Sequence, residues 1–217
     1  MRPRVIVHNA VSLDGKITGF DVDMGRYYGL ASTWKEDATL CGSGTVLAAP
    51  EGRVREKGEG VPKRKVDPKD KRPLLVVADG RGRVRCWNML LGAGFWRDGI
   101  ALCSRQTPTS HIEYLRRREV SRVVAGDKQV DLASALTLLH SRYHVRTVRV
   151  DSGGTLNAAL LGAGLVDEVS LLVHPALAGT SARPLFADAK PLKGSFRLFH
   201  NERLPGGLVW LRYRSAR

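Results

Sequence analysis

The run Asp151-Ser152-Gly153-Gly154-Thr155 brings glycine backbone to the start of a predicted helix. Free N–H groups and the positive end of a helix dipole suit a phosphate or pyrophosphate at such a point. The run lies inside Val145 to Thr180, which reads as a strand, a tight glycine turn, an amphipathic helix and a second strand. A second turn, Ser12-Leu13-Asp14-Gly15-Lys16, leaves an apolar strand and carries a hydroxyl, a carboxylate and an ammonium. Gly42-Ser43-Gly44-Thr45 forms a third turn, which alone says only that the chain reverses. Asp79-Gly80 and Ser104-Arg105 close two further apolar runs. An arginine so placed either pairs with a phosphate through bidentate hydrogen bonds or simply faces solvent.

These turns need strands to hold them. Arg4–Asn9, Ala38–Cys41, Pro73–Ala78, Ile100–Cys103, Arg122–Ala125, Val145–Val150 and Glu168–His174 read as short buried strands. Helices are predicted around Tyr27–Asp37, with Ala31 and Trp34 on the apolar side, and over Ser110–Arg118. Another follows Asp131, a predicted N-cap, with Leu132, Ala135, Leu136 and Leu139 on one face. Leu156, Ala159, Leu160 and Ala163 repeat that spacing, and Gly164 suits the helix end. Ser195–Glu202 and Leu208–Tyr213 read as two strands around Pro205-Gly206-Gly207. Alternating strands and helices predict an α/β fold with a mostly parallel central sheet, and the last two strands add a C-terminal antiparallel hairpin.

The chain has 217 residues, 43% of them hydrophobic, which suits a single domain over 1–217 with a real core. No apolar run approaches a membrane span, and MRPRVIVHNA enters a strand at once, so neither a signal peptide nor a membrane helix is expected. Cys41, Cys86 and Cys103 lie in or beside apolar stretches without CxxC spacing. They are expected as packed thiols in a reduced, cytoplasmic protein, with no metal site. The net charge of +14 admits two readings: a nucleic-acid surface, or an enzyme for anionic ligands. Much of that charge lies in Arg53–Arg72, read as a long solvated loop, in Arg116-Arg117-Arg118, and in Arg212, Arg214 and Arg217. No RNP-like, zinc-finger or helix-turn-helix pattern accompanies it, so a nucleic-acid partner is not expected.

Four segments in order resemble the RibD C-terminal-type reductase of riboflavin biosynthesis. They are HNAVSLDGKITG, GSGTVL, LLVVADGRGRV and VDSGGTLNAALLGAGLVDEVSLLVHPALAG. The archaeal and fungal single-domain form is the most similar, and the H-x-E and P-C-x-x-C ligands of a zinc deaminase are missing. The resemblance implies a dihydrofolate-reductase-like, three-layer fold and a homodimer. It also implies a reaction: NADPH, or NADH in its place, gives a hydride to ribosyl C1′ of 2,5-diamino-6-ribosylamino-4(3H)-pyrimidinone 5′-phosphate. The closed ribosylamine opens to an imine, and the protein aligns the two ligands and moves protons.

The resemblance also assigns residues. Asp14, in S-L-D-G-K, is the implied catalytic group, a substrate contact or proton relay; otherwise it caps its turn. Lys16 and Arg26 are implied for the substrate phosphate, with a solvated lysine the other reading of Lys16. Asn9 and Ser12 are implied substrate contacts, with satisfied strand-end polar groups as the other reading, and Asp151 is implied as a substrate contact or a structural acid. Asp151 stands where the family commonly has Glu, and Ser152 is a second departure. Gly42, Ser43, Gly44, Thr45, Asp79, Gly80, Ser104 and Arg105 are implied cofactor contacts, with Arg105 on an adenosine 2′-phosphate. Ser152, Gly153, Gly154, Thr155 and Leu156 are implied on the nicotinamide or pyrophosphate side. Ala48-Ala49-Pro50 replaces the family's frequent D-D-P. A paralogous reductase acting on another pterin-like or phosphosugar substrate, and a basic RNA-binding domain without catalysis, are the alternatives. His174 is left as a structural histidine.

Overall fold

The computed structural model describes residues 1–49, 69–187 and 195–216. Residues 53–68 of the basic run, Pro50 and Arg217 lie outside them. The chain divides into two compact units, Met1–Pro3 with Asp37–Arg146, and Arg4–Glu36 with Thr147–Arg217. Each is an α/β layer built on parallel strands, as the alternation of short apolar runs and helices predicts.

The first unit holds β2 (Ala38–Gly42), β3 (Leu74–Ala78), β4 (Asp98–Cys103) and β5 (Ser121–Val124), all parallel and ordered β5-β4-β3-β2. Its helices are α2 (Ser43–Ala48), α3 (Trp87–Gly92), α4 (Thr109–Arg117) and α5 (Leu132–Tyr143). Asp131 caps α5 by accepting from the backbone of Ala133 and Ser134, and Ala135, Leu136 and Leu139 are buried as the spacing requires. Helix α3 was not expected, because WNMLLG has no polar residue alternating with its apolar ones apart from Asn88. Trp87 fills the core, its ring 2.7 Å from where a Cβ on Gly99 would stand. Cys41, Cys86 and Cys103 form no disulfide and are buried in one apolar cluster with Trp87, Leu75 and Val77. Burial beside Asp79 pushes the Cys103 thiol up to about 11, so it stays protonated.

The second unit holds β1 (Arg4–Val11), β6 (Thr147–Val150), β7 (Glu168–Val173), β8 (Ser195–Leu204) and β9 (Leu208–Ala216), ordered β6-β1-β7-β9-β8. The first three run parallel, and β9 and β8 are antiparallel. Strand β1 is buried from Val5 to Val11. Its two polar residues, His8 and Asn9, are therefore inside and must find partners. Glu168 on β7 is fully buried and accepts from Trp34 Nε1 at 3.2 Å and Arg212 Nε at 2.7 Å, and it also pairs with Arg4.

Two helix expectations are corrected here. Helix α1 runs Met24–Ala31, not from Tyr27 to Asp37: Asp23 caps it by accepting from Arg26 N. A 3₁₀ turn, Ser32–Trp34, then ends in left-handed Lys35. Helix α6 (Gly154–Gly162) buries Gly154, Asn157, Leu160 and Leu161; of the predicted stripe Leu156, Ala159, Leu160 and Ala163, only Leu160 is buried. The reason is Asn157, a buried polar residue that a hydrophobicity count places on the outer face.

Candidate active site

Parallel strands release their chains at one edge, where crossover helices begin and ligands of open α/β sheets bind. In each unit the sequence-derived candidates collect at that edge. Ser12, Asp14 and Lys16 follow β1; Asp151 to Leu156 follow β6 and enter α6. Gly42 to Thr45 span the end of β2 and the start of α2, Asp79 and Gly80 follow β3, and Ser104 and Arg105 follow β4. Asn9 lies within β1, and Arg26 stands apart on α1, its Nε 3.3 Å from Asp23 Oδ2.

In the first unit, Asp79 is turned inward. It is 1% exposed and accepts from Arg83 N at 3.0 Å and Val84 N at 2.8 Å. Its carboxylate shapes the 79–84 loop. Gly82 takes φ +63° there, and a Cβ on it would stand 2.7 Å from the buried His111 ring. Burial holds His111 below its ordinary value, so it is neutral against Asp79. Ser104 is 2% exposed, and its Oγ has no hydrogen-bond partner among the described residues. Thr107 Oγ1 beside it accepts from Ser104 N and donates to Gly80 O. Arg105 is largely exposed and pairs with exposed Asp127 at 2.9 Å, a pair worth little in water. Arg83, which the sequence reading passed over, donates from Nη2 to Ser43 Oγ at 2.9 Å, and so hangs over the 42–45 turn. Gly44 there is exposed, with nothing within 4 Å of its Cβ position. The edge thus presents an orphaned hydroxyl, an open glycine and two guanidinium groups, a set that fits a nucleotide carrying phosphates.

In the second unit, Asp14 is a clamp. Ser12 Oγ donates to its Oδ1 at 2.6 Å, and Ala178 N and Gly179 N donate to its two oxygens at 3.1 and 2.9 Å. These bonds, that from Ser12 first, lower its pKa to about 2. So held, Asp14 is ionised near neutrality and anchors the 12–16 turn to the backbone of residues 178 and 179. The folded value lies below the ordinary 3.8, so this contact is fully stabilising above pH 3.8 and is lost as pH falls toward 2. Amide exchange at Ala178 and Gly179, taken relative to intrinsic rates, is expected to accelerate across that window. The step should vanish in Asp14→Asn; protection that persists unchanged to pH 2 in the native chain refutes the clamp. Lys16 is half-buried and makes no ion pair among the described residues, which leaves its ammonium for an anion.

Asn9 is also consumed. Its Nδ2 donates to Ser152 O at 3.0 Å and its Oδ1 accepts from Asn157 Nδ2 at 2.9 Å. It thereby ties β1 to the start of α6. The glycine turn is more closed than a bare phosphate cradle. Ser152 and Gly154 are buried, and a Cβ on Gly154 would stand 2.4 Å from Pro184 O and 2.8 Å from Ala187 N. Thr155 is exposed, and Gly153 and Leu156 are half-buried.

Asp151 keeps one open side. Its side chain is 27% exposed, with Arg149 Nη1 3.0 Å from Oδ2 and the Tyr27 hydroxyl 3.1 Å from Oδ1. Arg149 reaches back to Glu36, Nε to Oε1 at 2.7 Å. Tyr27 stacks on His8 at 4.5 Å. Burial lowers the His8 pKa to about 4, so the ring is neutral. His8 Nε2 lies 3.1 Å from Tyr27 O, which can only accept, so Nε2 carries the proton and Nδ1 faces Ser170 Oγ. His174 Nε2 accepts from Asp23 N, and its Nδ1 faces Leu172 O. Arg149 and Asp151 share a strand face at i and i+2. That spacing was the one available signal for the pair; nothing local pointed to Tyr27.

The family model described as RibD C-terminal domain matches residues 3–210. A 2,5-diamino-6-ribosylamino-4(3H)-pyrimidinone 5′-phosphate reductase of Archaeoglobus fulgidus is 33% identical, over 96% of this chain and 97% of that protein. Among solved structures, a pyrimidine reductase-like protein of Corynebacterium diphtheriae superposes with TM-score 0.72 at 17% identity, covering 99% of this chain and 92% of the other. Acinetobacter baumannii RibD superposes with TM-score 0.70 at 21% identity; the chain spans 58% of its length.

Proposed function

The chain belongs to the RibD C-terminal domain family, and we propose that it reduces the ribosylamino group of 2,5-diamino-6-ribosylamino-4(3H)-pyrimidinone 5′-phosphate to the ribitylamino product. The near end-to-end correspondence with the Archaeoglobus reductase carries this reading. The geometry agrees with it at Asp151, an anchored carboxylate with one open side at the end of a parallel strand.

When bound, a reduced nicotinamide supplies the hydride. The residues of this chain bind, orient and balance charge. Lys16 attracts the substrate's 5′-phosphate, and Asp151 faces the amine-bearing carbon, where positive charge develops as the ribosyl ring opens. Asp14 holds the Lys16 turn against the 178–179 backbone. NADPH is the proposed donor, because Arg83 and Arg105 both reach the first unit's strand-end edge. Arg83 is the stronger candidate for the 2′-phosphate, since its guanidinium is held over the 42–45 turn. A homodimer and a cytoplasmic setting belong to the same reading, supported by the family likeness and by three buried thiols that form no disulfide; sedimentation of the purified chain reads the first.

The test is NADPH oxidation at about 340 nm with the ribosylaminopyrimidinone phosphate, made in situ, against a control without it. Substrate-dependent oxidation supports the reading; NADPH binding without oxidation points to another substrate. Arg83→Ala is expected to raise KM for NADPH about tenfold, the weight of a lost charge-assisted bond, and to leave KM for NADH within about twofold. An equal rise for both cofactors removes Arg83 from the 2′-phosphate.

A further inference from the structure

We propose that Tyr27 and Arg149 are positioning residues for the reduction, acting together through the Asp151 carboxylate. The inference rests on the reading that Asp151 faces the ribosyl carbon. Arg149 is buried and bridges two carboxylates, Glu36 and Asp151, so the group carries one net negative charge. Its fork holds Asp151 Oδ2, and the Tyr27 hydroxyl, brought from α1, lies against Oδ1. Each oxygen is thus gripped by a different element, and the carboxylate cannot turn about its own axis without breaking a buried contact. An aspartate side chain has a short reach, so a wrong rotamer would take its charge away from the ligand.

Tyr27 has a second feature suited to this role. Its hydroxyl lies 2.9 Å from His8 O as well as 3.1 Å from Asp151 Oδ1, yet it has one proton. Burial beside Asp151 raises its pKa well above the ordinary value, so it remains a donor and never a base. As a cation forms beside Asp151 and draws on the carboxylate charge, the proton can turn to His8 O without leaving a buried hydroxyl unpaired.

The reaction that this arrangement serves balances. The C1′–O4′ bond breaks and its electron pair goes to O4′, which takes one proton. The amine lone pair forms C1′=N, leaving an iminium cation. The hydride brings two electrons to C1′, the C=N pair returns to nitrogen, and the reduced nicotinamide becomes oxidised. The iminium is the species whose charge a fixed Asp151 carboxylate lowers in energy.

The test is steady-state kinetics on the full chain and on Tyr27→Phe, Arg149→Lys, Asp151→Asn and the Tyr27→Phe/Asp151→Asn double variant. Tyr27→Phe removes only a hydroxyl; Arg149→Lys keeps the charge but loses the fork, so a fold is retained in at least one. Tyr27→Phe and Arg149→Lys are each expected to lower kcat about tenfold with NADPH affinity within about twofold. In the Asp151→Asn background the Tyr27→Phe loss should vanish, since both act through one group. A tenfold loss that persists on top of Asp151→Asn, or unchanged kcat in both single variants, overturns the inference and leaves the reductase standing. No turnover by the native chain overturns the reductase reading and this inference with it.

Discussion

Asp151→Asn is expected to fold normally, to bind NADPH as the native chain does, and to lose about 10² to 10³ in kcat, the range seen when a charge-stabilising group is removed from a reacting centre. The fold should survive because of the charge count around Arg149. One guanidinium faces two carboxylates, Glu36 and Asp151. Neutralising Asp151 leaves a balanced Arg149–Glu36 pair, and the asparagine oxygen still accepts from either Arg149 or Tyr27. No buried charge is stranded, so the usual penalty for breaking such a pair does not arise. The chemistry has no such reserve, because the amide cannot offset an iminium charge. Rapid-quench turnover beside NADPH titration separates the two. A variant with native kcat would remove Asp151 from the reacting centre; one that loses NADPH binding too would make it a folding residue.

Gly154→Ala should act through the fold. The new methyl would stand 2.4 Å from Pro184 O and 2.8 Å from Ala187 N, both backbone atoms that cannot rotate away. That backbone is held on several sides. Ala187 N donates to Gly154 O, Asn157 Nδ2 to Leu185 O, Leu185 N to Gly15 O and Ile17 N to Arg183 O. Pushing it outward strips bonds from the 12–17 turn, which carries Asp14 and Lys16. A loss of about 3 kcal/mol is expected, at the upper end of ordinary overpacking, or roughly 6–12 °C in Tm for a chain of this length. Gly162→Ala at the end of the same helix is the control, because nothing lies within 4 Å of its Cβ position. It should gain stability by about 0.5–1 kcal/mol, the helix preference of alanine over glycine. Thermal melts of both variants decide it: equal shifts would mean that the contact with Pro184 and Ala187 is not what requires Gly154.

The sequence by itself determined where the strands end and which polar residues stand just beyond them. Apolar runs such as PLLVVA and the cap at Asp131 work within a few residues, so their signals are local and legible. The three-residue error at the start of α1 arose because Asp23, not the first aromatic, begins that helix. The family likeness rested on the same strand-end turns. Only the tertiary structure decided which of those polar groups remain available. Asn9 is spent on Ser152 and Asn157, Asp79 on its own loop, and Asp14 on the backbone of residues 178 and 179. Asp151 is gripped by Tyr27, 124 residues away in the chain, and by Arg149, yet keeps an open side. A hydrogen bond is satisfied by whatever group the packing brings within about 3 Å, and no periodicity encodes that neighbour. Arg83 came to the 42–45 turn for the same reason: its reach across to Ser43 depends on two parallel strands lying side by side.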